Sequence, residues 1–349
     1  MASTNSTTCP AGSTILVTGS NGYIASHVVD QLILAGFKVK GTVRDEAKAR
    51  YIEGVFHKRY TPNSFSAAII PDITLPGATD SALQDCSGII HLAQDMTMSP
   101  NFSDVFYPSV RGVQNLLESA ALIPSIKRVV YTSATGAAST PKVGKRAHIT
   151  KDSWNDALEA AQAEEPAGGY PFHHGMIVYW AAKAAAEKAA WSFVKEKNPG
   201  FVLNSVLTNM TVGPIIGDQP RGSGAFILGV YYSNPEAVAA MKNELFVPPQ
   251  QMVDVRDTAR LHVAALTEED VKNERLLSAS EEYNFNKVIE MMGTFAPEGH
   301  VLPEVDPKIS RGLQTIDDAR SVELLKRRGR DGWARVSDAV RENCLGEGN

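Results

Sequence analysis

Apolar and polar positions in the first half of the chain follow two rhythms. Short, uninterrupted apolar runs alternate with longer stretches of helical repeat, the pattern of a parallel sheet covered by helices. Ser13–Gly19 reads as a buried strand, and Ala25–Ala35, with Val28, Val29, Leu32 and Ile33 on one face, as a helix closed by Gly36. A strand at Lys38–Val43 follows at once. Further strands are predicted at Ala67–Ile70, Gly88–Leu92, Arg128–Thr132 and Phe201–Leu207, with helices at Val110–Leu122 and Val178–Lys197. This βαβ succession implies right-handed crossovers and a doubly wound α/β fold. After Leu207 the alternation decays, and Pro/Gly-rich stretches such as Val212–Gly224 and Pro248-Pro249 separate short elements of a smaller lobe. Asp257–Leu266 reads as a helix capped by Asp257, and Arg275–Ser280 as a strand returning to the first domain. The two lobes should therefore interleave: 12–208 plus 252–283 in the larger, 209–251 plus 284–349 in the smaller, and 1–11 as a disordered lead.

The 349 residues carry 34 Lys+Arg against 39 Asp+Glu, a net charge of −5, which argues against a broad footprint for nucleic acid or an anionic membrane. No apolar run approaches the roughly 20 residues needed to span a bilayer, and the first 13 residues lack the basic start and apolar stretch of a secretory signal. A soluble, cytoplasmic protein, monomer or homodimer, is expected. Cys9, Cys86 and Cys344 are odd in number and far apart, which fits neither a disulfide framework nor a metal knuckle.

The most informative local feature is Thr18-Gly19-Ser20-Asn21-Gly22-Tyr23-Ile24-Ala25, between the first strand and the first helix. Gly19 permits a tight turn, Gly22 lets backbone approach a pyrophosphate, and Ala25 lets the helix pack close. The helix N-terminus then offers free N–H groups and a positive dipole end to phosphate. Where the second strand ends, an NAD site usually carries an acidic residue for the ribose 2′-hydroxyl. This chain has Arg44, with Lys48 beyond it, which favours the 2′-phosphate of NADP. Asp72-Ile73, after the third strand, is placed to meet the adenine ring.

Tyr179 and Lys183 lie four residues apart in an alanine-rich helical segment, so a phenol and an ammonium share one face. A neighbouring cation lowers a phenol's pKa and suits it to general acid work. TGSNGYIA, the Arg44/Lys48 pair, His91-Leu92-Ala93, Tyr131-Thr132-Ser133, Tyr179-x-x-x-Lys183 and Val212-Gly213-Pro214 together resemble the extended short-chain dehydrogenase/reductase superfamily. More narrowly, Asp152-Ser-Trp154-Asn155, Ala190-Trp191, Pro248-Pro249-Gln and Leu324-Leu325 through Gly332-Trp333 resemble its dihydroflavonol reductase-like branch, which includes fungal NADPH-dependent aldehyde and carbonyl reductases.

That resemblance implies a Rossmann-type NADP-binding domain with a substrate lobe. It also implies hydride transfer to a carbonyl, with Tyr179 as proton donor, Lys183 as its modifier and ribose anchor, and a serine holding the carbonyl oxygen. By the same resemblance Leu92, Ala93, Thr132 and Thr208 join the cofactor site. Two departures stand out. The family's Thr-Ser-Ser is here Thr132-Ser133-Ala134-Thr135, with alanine in the catalytic serine's slot, and Thr208 replaces a common proline. Losing one oxyanion donor typically costs about 10²–10³ in rate. Three explanations stay open. Ser133 or Thr135 reaches the site, with Ser133 the candidate donor; the chain is an impaired or engineered reductase; or the chemistry needs no hydroxyl there.

Other features are read as structural. His173-His174 lacks further ligands at metal spacing, so no metal is predicted. Asp254-Val-Arg256-Asp257 reads as a cap and an ion pair, and Lys326-Arg-Arg328-Gly-Arg330 as a solvated face. Lys142–His174 reads as one long loop beside the site, a lid or substrate wall. Trp154, Phe172, Met176, Phe226 and Tyr231 would give an apolar substrate its contacts.

The expected activity is NADPH-dependent reduction of an apolar or aromatic aldehyde or ketone to an alcohol. The alternative is an NADP-binding isomerase, epimerase, dehydratase or cyclase without net redox change, which the Ser-to-Ala departure favours. A nucleotide sensor without chemistry has no need of the Tyr179/Lys183 pair.

Overall fold

The computed structural model describes residues 8–140, 146–163, 171–242, 250–305 and 314–346. In chain order the first elements are β1 (Thr14–Thr18), α1 (Tyr23–Leu34), β2 (Lys38–Val43), α2 (Glu46–Arg59), β3 (Phe65–Ile69), α3 (Asp80–Leu83), β4 (Cys86–His91), α4 (Phe102–Ala121) and β5 (Arg128–Ala134). Next come β6 (Ala147–Ile149), α5 (Leu158–Gln162), α6 (Pro171–Lys197), β7 (Val202–Thr208), β8 (Met210–Val212), α7 (Gly222–Tyr231), α8 (Pro235–Met241) and β9 (Gln250–Asp254). The chain closes with α9 (Val255–Thr267), β10 (Arg275–Ser278), β11 (Glu281–Tyr283), α10 (Phe285–Gly293), β12 (Gln314–Ile316), α11 (Ala319–Arg327) and α12 (Val336–Leu345).

Seven parallel strands form the central sheet in the order β10-β7-β5-β4-β1-β2-β3. Strand order reverses between β1 and β4, so a crevice opens at the carboxyl ends of those two strands, the usual place for a ligand in an open α/β sheet. Ile15, Val17, Val28, Leu32, Leu261 and Leu325 fill one face of the sheet; Leu16, Ile89, Leu116, Val129 and Ala186 fill the other. Burial on both faces explains why the strands read as unbroken apolar runs. A guanidinium lies inside this core: Arg128, fully buried, donates to the carbonyls of Ala265, Glu268 and Val271 and so satisfies the C-terminal end of α9.

The smaller sheet, β11-β9-β8, supports α7, α10 and α12 around Val212, Ile227, Met252, Phe285, Val288 and Val340. Several boundaries differ from expectation. Helix α4 starts at Phe102, well before Val110, despite Pro108: Asn101 caps it by accepting from Ser103 N at 3.1 Å, and Val105 buries against Val178 and Ala182 of α6. Tertiary packing there outweighs the lost hydrogen bond. The supposed loop 142–174 contains β6, α5 and the first turn of α6, so His174 is a buried helix residue; the side chains of Phe172 and His173 lie outside the described residues. The Pro248-Pro249 segment does as well.

The lead is not loose throughout, because Cys9 is buried and donates to Ser87 O at 3.2 Å. Asp254, not Asp257, caps α9; Asp257 lies in its first turn, accepting from Arg260 and from Ala334 N at 2.7 Å. Helix α11 packs Leu324 and Leu325 into the large-domain core, although its stretch of chain was expected in the smaller lobe. Nor is the C-terminal basic run merely solvated: Arg327 pairs with Asp270 and Glu323, and Arg328 donates to Thr267 Oγ1.

Candidate active site

At the end of β1 the chain turns through Gly19, whose φ of +67° suits glycine, and Gly22 N closes the turn on Gly19 O at 2.8 Å. A Cβ on Gly19 would lie 3.2 Å from Ala93 Cα, so this close approach of β1 to the end of β4 also needs glycine. Helix α1 then begins at Gly22 with no side-chain cap and no acidic residue in its first turn. Its positive end is left open to an anion.

The hydroxyls around this turn do other work. Thr18 Oγ1 accepts from Leu92 N (3.0 Å) and Ala93 N (2.9 Å), which leaves its proton for His91 Nδ1 at 2.7 Å. Ser20 is buried and donates to Thr42 O. Tyr23 is buried and donates to Gly213 O at 2.7 Å, tying α1 to the smaller lobe. The side chains of Thr18, Ser20 and Tyr23 thus shape the turn itself, beside half-buried Asn21 and Ile24.

Arg44 is exposed at the end of β2, and among the described residues its guanidinium has no ion pair. Lys48 is paired with Asp45, which also caps α2, so Arg44 is the freer cation. Asp72 is exposed and spends its carboxylate on Thr74 N (2.8 Å) and Oγ1 (2.7 Å), while Ile73 packs inward toward the sheet. Arg221, which the sequence did not signal, lines a small cavity with Asn21 and Gly22, and among the described residues its buried Nε has no partner. An NADP molecule fits the residues at this end: a turn at Gly19 where a Cβ would crowd Ala93, an uncapped helix and, at Arg44, a guanidinium with no ion pair among the described residues.

The other half of the site lies where β5 meets α6. Lys183 is buried and donates to Thr132 O at 2.7 Å, its Nζ lying 5.1 Å from the Tyr131 ring centroid. Burial pulls the ammonium down to about 7, against the opposing charge of Glu187. Tyr179, one turn earlier, is half-buried in an apolar cluster of Met98, Met176, Ile177, Trp180 and Met210. Its hydroxyl has no hydrogen-bond partner among the described residues, and burial raises its pKa above the ordinary phenol range. Without a ligand the phenol is therefore protonated, and the expected depression by Lys183 is absent because the lysine is turned onto Thr132.

Thr132 Oγ1 is engaged with His262 Nε2 at 2.8 Å, and His262 Nδ1 lies 2.8 Å from Thr258 O, which makes Nδ1 the protonated nitrogen and Thr132 the donor. Only the carbonyl of Thr132 faces Lys183. Thr208, at the end of β7, is buried and pairs with Ala134 in the sheet register. Ser133 does not serve as the free donor expected of it. It is almost fully buried and donates to Glu187 Oε2 at 2.7 Å. Ala134 has no hydroxyl to offer, and among the described residues the Thr135 hydroxyl, which begins the following 3₁₀ turn, has no partner.

Two contacts lock this half together. Asn155 Nδ2 donates to Gly136 O and to Trp180 O, bridging the end of β5 to α6, and a Cβ on Gly136 would lie 2.6 Å from Trp180 Cγ. Trp154 lies under the Arg275 guanidinium at 3.8 Å, a cation–π contact that holds it to β10. Tyr231 is buried in the core of the smaller lobe with Phe226 packed against that core, which leaves Met176 as the expected wall residue beside Tyr179.

With both ends of the site described, its lineage can be read from the whole chain. The profile of the NAD dependent epimerase/dehydratase family matches residues 15–284. The chain belongs to that family. An NAD-dependent epimerase/dehydratase of Aspergillus terreus is 37% identical over 96% of this chain and 97% of its own length. Aldehyde reductase 2 of Sporidiobolus salmonicolor is 32% identical over 98% of both chains. The solved structure of Gre2 from Candida albicans in complex with NADPH superposes with a TM-score of 0.78 at 28% identity, covering 97% of this chain and 100% of that one. Among these relatives the extended short-chain dehydrogenase/reductase fold and an oxidoreductase activity agree with the resemblance. Among the described residues no cluster of His, Cys, Asp or Glu is arranged for a metal ion, and no helix is long and apolar enough to cross a membrane.

Proposed function

We propose that this protein reduces an apolar or aromatic aldehyde or ketone to the alcohol with NADPH. The observation that carries the reading is the Tyr179 phenol, protonated, unpartnered among the described residues and set among methionines and an indole, one helical turn from a buried ammonium. Bound NADPH would supply the hydride. Arg44 would hold the 2′-phosphate, the open N-terminus of α1 the pyrophosphate, and Lys183 would leave Thr132 O for the nicotinamide ribose. Moving closer to the phenol, that ammonium lowers its pKa from the burial-raised value, so Tyr179 gives its proton to the carbonyl oxygen as negative charge develops there. The Met98/Met176/Met210 surface excludes water from that oxygen and adapts to the shape of an apolar substrate. The hydroxyl beside it would come from Thr135, because Ser133 is held by Glu187.

The relatives named above support NADPH and a carbonyl substrate. A second reading, an isomerase or related enzyme of the same fold, is favoured by Ala134 and by the engagement of Ser133. The test follows NADPH oxidation with aromatic aldehydes and β-keto esters in the wild type, Tyr179→Phe and Ala134→Ser. Reduction by the wild type, lost in Tyr179→Phe and changed by less than about tenfold in Ala134→Ser because Thr135 already supplies the hydroxyl, supports the reductase. NADPH bound without oxidation by any of the three would remove it in favour of the second reading.

A further inference from the structure

The helix carrying Tyr179 and Lys183 is anchored by a carboxylate that neither the cofactor turn nor the phenol explains. Glu187 lies one turn beyond Lys183 and is fully buried. Its Oε1 accepts from Ser205 Oγ at 2.7 Å, Arg275 Nε at 2.8 Å and Trp191 Nε1 at 3.3 Å; its Oε2 accepts from Ser133 Oγ at 2.7 Å and Arg275 at 3.2 Å. These donors come from β5, β7, β10 and α6 itself. Arg275, in turn, donates to Lys151 O at 2.5 Å and Ser153 O at 2.7 Å and lies over Trp154, so the same network reaches the segment between β6 and α5.

A fully occupied carboxylate at this depth is a poor investment for stability alone, since burying an ion pair seldom outperforms apolar packing of equal volume. Its placement suggests a second use. We propose that Glu187 is a positioning residue for the Tyr179/Lys183 pair: it fixes the register of α6 against the strand ends and supplies the negative charge that keeps Lys183 an ammonium in a dry site. This rests on the reading of Lys183 given above.

The groups facing Lys183 leave that role to Glu187. From β5 there are the Thr132 carbonyl and the Tyr131 ring; from β4, His91; from α9, His262; from α6, Tyr179. Both histidines are driven neutral, by burial first and by Lys183 second, and the two phenols are held protonated by burial. Glu187 is the anionic member of the set, and its charge opposes the burial that brings Lys183 to about 7. Arg275 of β10 pairs with the carboxylate at 2.8 Å, and of the two charges Glu187 is the one that acts on Lys183. Ser133 on β5 thereby has a structural explanation: its hydroxyl completes the carboxylate's shell.

The experiment compares Glu187→Asp, Glu187→Gln and the double variant Glu187→Gln/Arg275→Met, which strands no buried charge. Thermal unfolding checks each fold; NADPH affinity by fluorescence and the rate of NADPH oxidation are then followed from pH 5.5 to 9. Lysine is active while protonated, so activity and affinity fall on the alkaline side. In the two variants without the charge that limb should move about one pH unit lower, about tenfold in rate at pH 8 and about twofold at pH 6, and Glu187→Asp should restore most of it. A limb that stays in place in any folded charge-free variant, or loss of folding in all three, would overturn the proposal, leaving Glu187 a purely structural group. Lys183→Met separates the two levels of inference: if it stays fully active, the reading of Lys183 itself fails, whereas an inactive Lys183→Met beside an unmoved limb fails Glu187 alone.

Discussion

Gly54 and Gly175 both lie inside helices, and alanine at the two positions should move stability in opposite directions. Helix propensity alone favours alanine over glycine by about 1 kcal/mol at either site. At Gly54, in α2, a Cβ would meet nothing within 4 Å, and the backbone is not in the left-handed region. Gly54→Ala should therefore be about 1 kcal/mol more stable. At Gly175, near the start of α6, a Cβ would stand 2.8 Å from the Met98 carbonyl carbon and nearer still to its oxygen. Non-bonded atoms sit comfortably about 3.5–4.0 Å apart, so the segment carrying Met98, its oxygen above all, must retreat by more than about an ångström. Met98 is held at φ +53° and packs in the cluster with Met176, Trp180 and Tyr179, so the retreat strains backbone and opens the apolar chamber.

Overpacking of this kind costs about 1–3 kcal/mol, which exceeds the propensity gain. Gly175→Ala should be less stable than wild type by up to about 2 kcal/mol, a fall of a few degrees in Tm for a domain of this size. KM for a carbonyl substrate should rise more than kcat falls, because the cluster binds substrate while the phenol keeps its place on α6. Urea unfolding of the two variants, with steady-state kinetics, measures both effects. Equal stabilisation in Gly54→Ala and Gly175→Ala would refute the close approach of α6 to the Met98 segment.

Other expectations can be checked as directly. Thr135→Val should lower kcat about a hundredfold with little effect on NADPH affinity, whereas equal kcat in variant and wild type would show that the Thr135 hydroxyl is idle. Arg44→Ala should weaken NADPH about tenfold by fluorescence titration and leave NADH nearly unchanged; equal losses for the two would place the 2′-phosphate elsewhere. Burial depresses His91 to about 3 and His27 and His262 to about 4. Each is neutral in the fold and charged when unfolded below the ordinary 6.5, so the stability they contribute is complete above 6.5 and lost as pH falls toward 4. At about 1.4 kcal/mol per pH unit per group, Tm should drop steeply from pH 6.5 to 5. A flat Tm over that interval would contradict their burial as neutral rings.

The parts of the molecule legible from sequence are those whose physics is local. The turn at Gly19–Gly22 could be read because few residues other than glycine tolerate that φ and that closeness to Ala93. Tyr179 and Lys183 could be placed on one face because helical spacing requires it. What stayed hidden depends on partners far away in the chain. Ser133 is separated from Glu187 by 54 positions and Tyr23 from Gly213 by 190, so no local pattern could reveal that these hydroxyls were already committed. Pro108 misled the start of α4 because its local penalty is offset by packing on α6, a helix that lies much later in sequence. Asp254 and Asp257 are both good caps by type, and only the turn geometry decides for Asp254.

The central claim is that Tyr179 completes a hydride reduction. Its most direct measurement is the fate of deuterium from NADPH labelled at the transferable C4 position, followed by mass spectrometry in the product of an aromatic aldehyde. The account predicts one deuterium on the carbinol carbon for each NADPH oxidised, with the yield in Tyr179→Phe falling at least a hundredfold. Product formed without label and without loss of NADPH would contradict it.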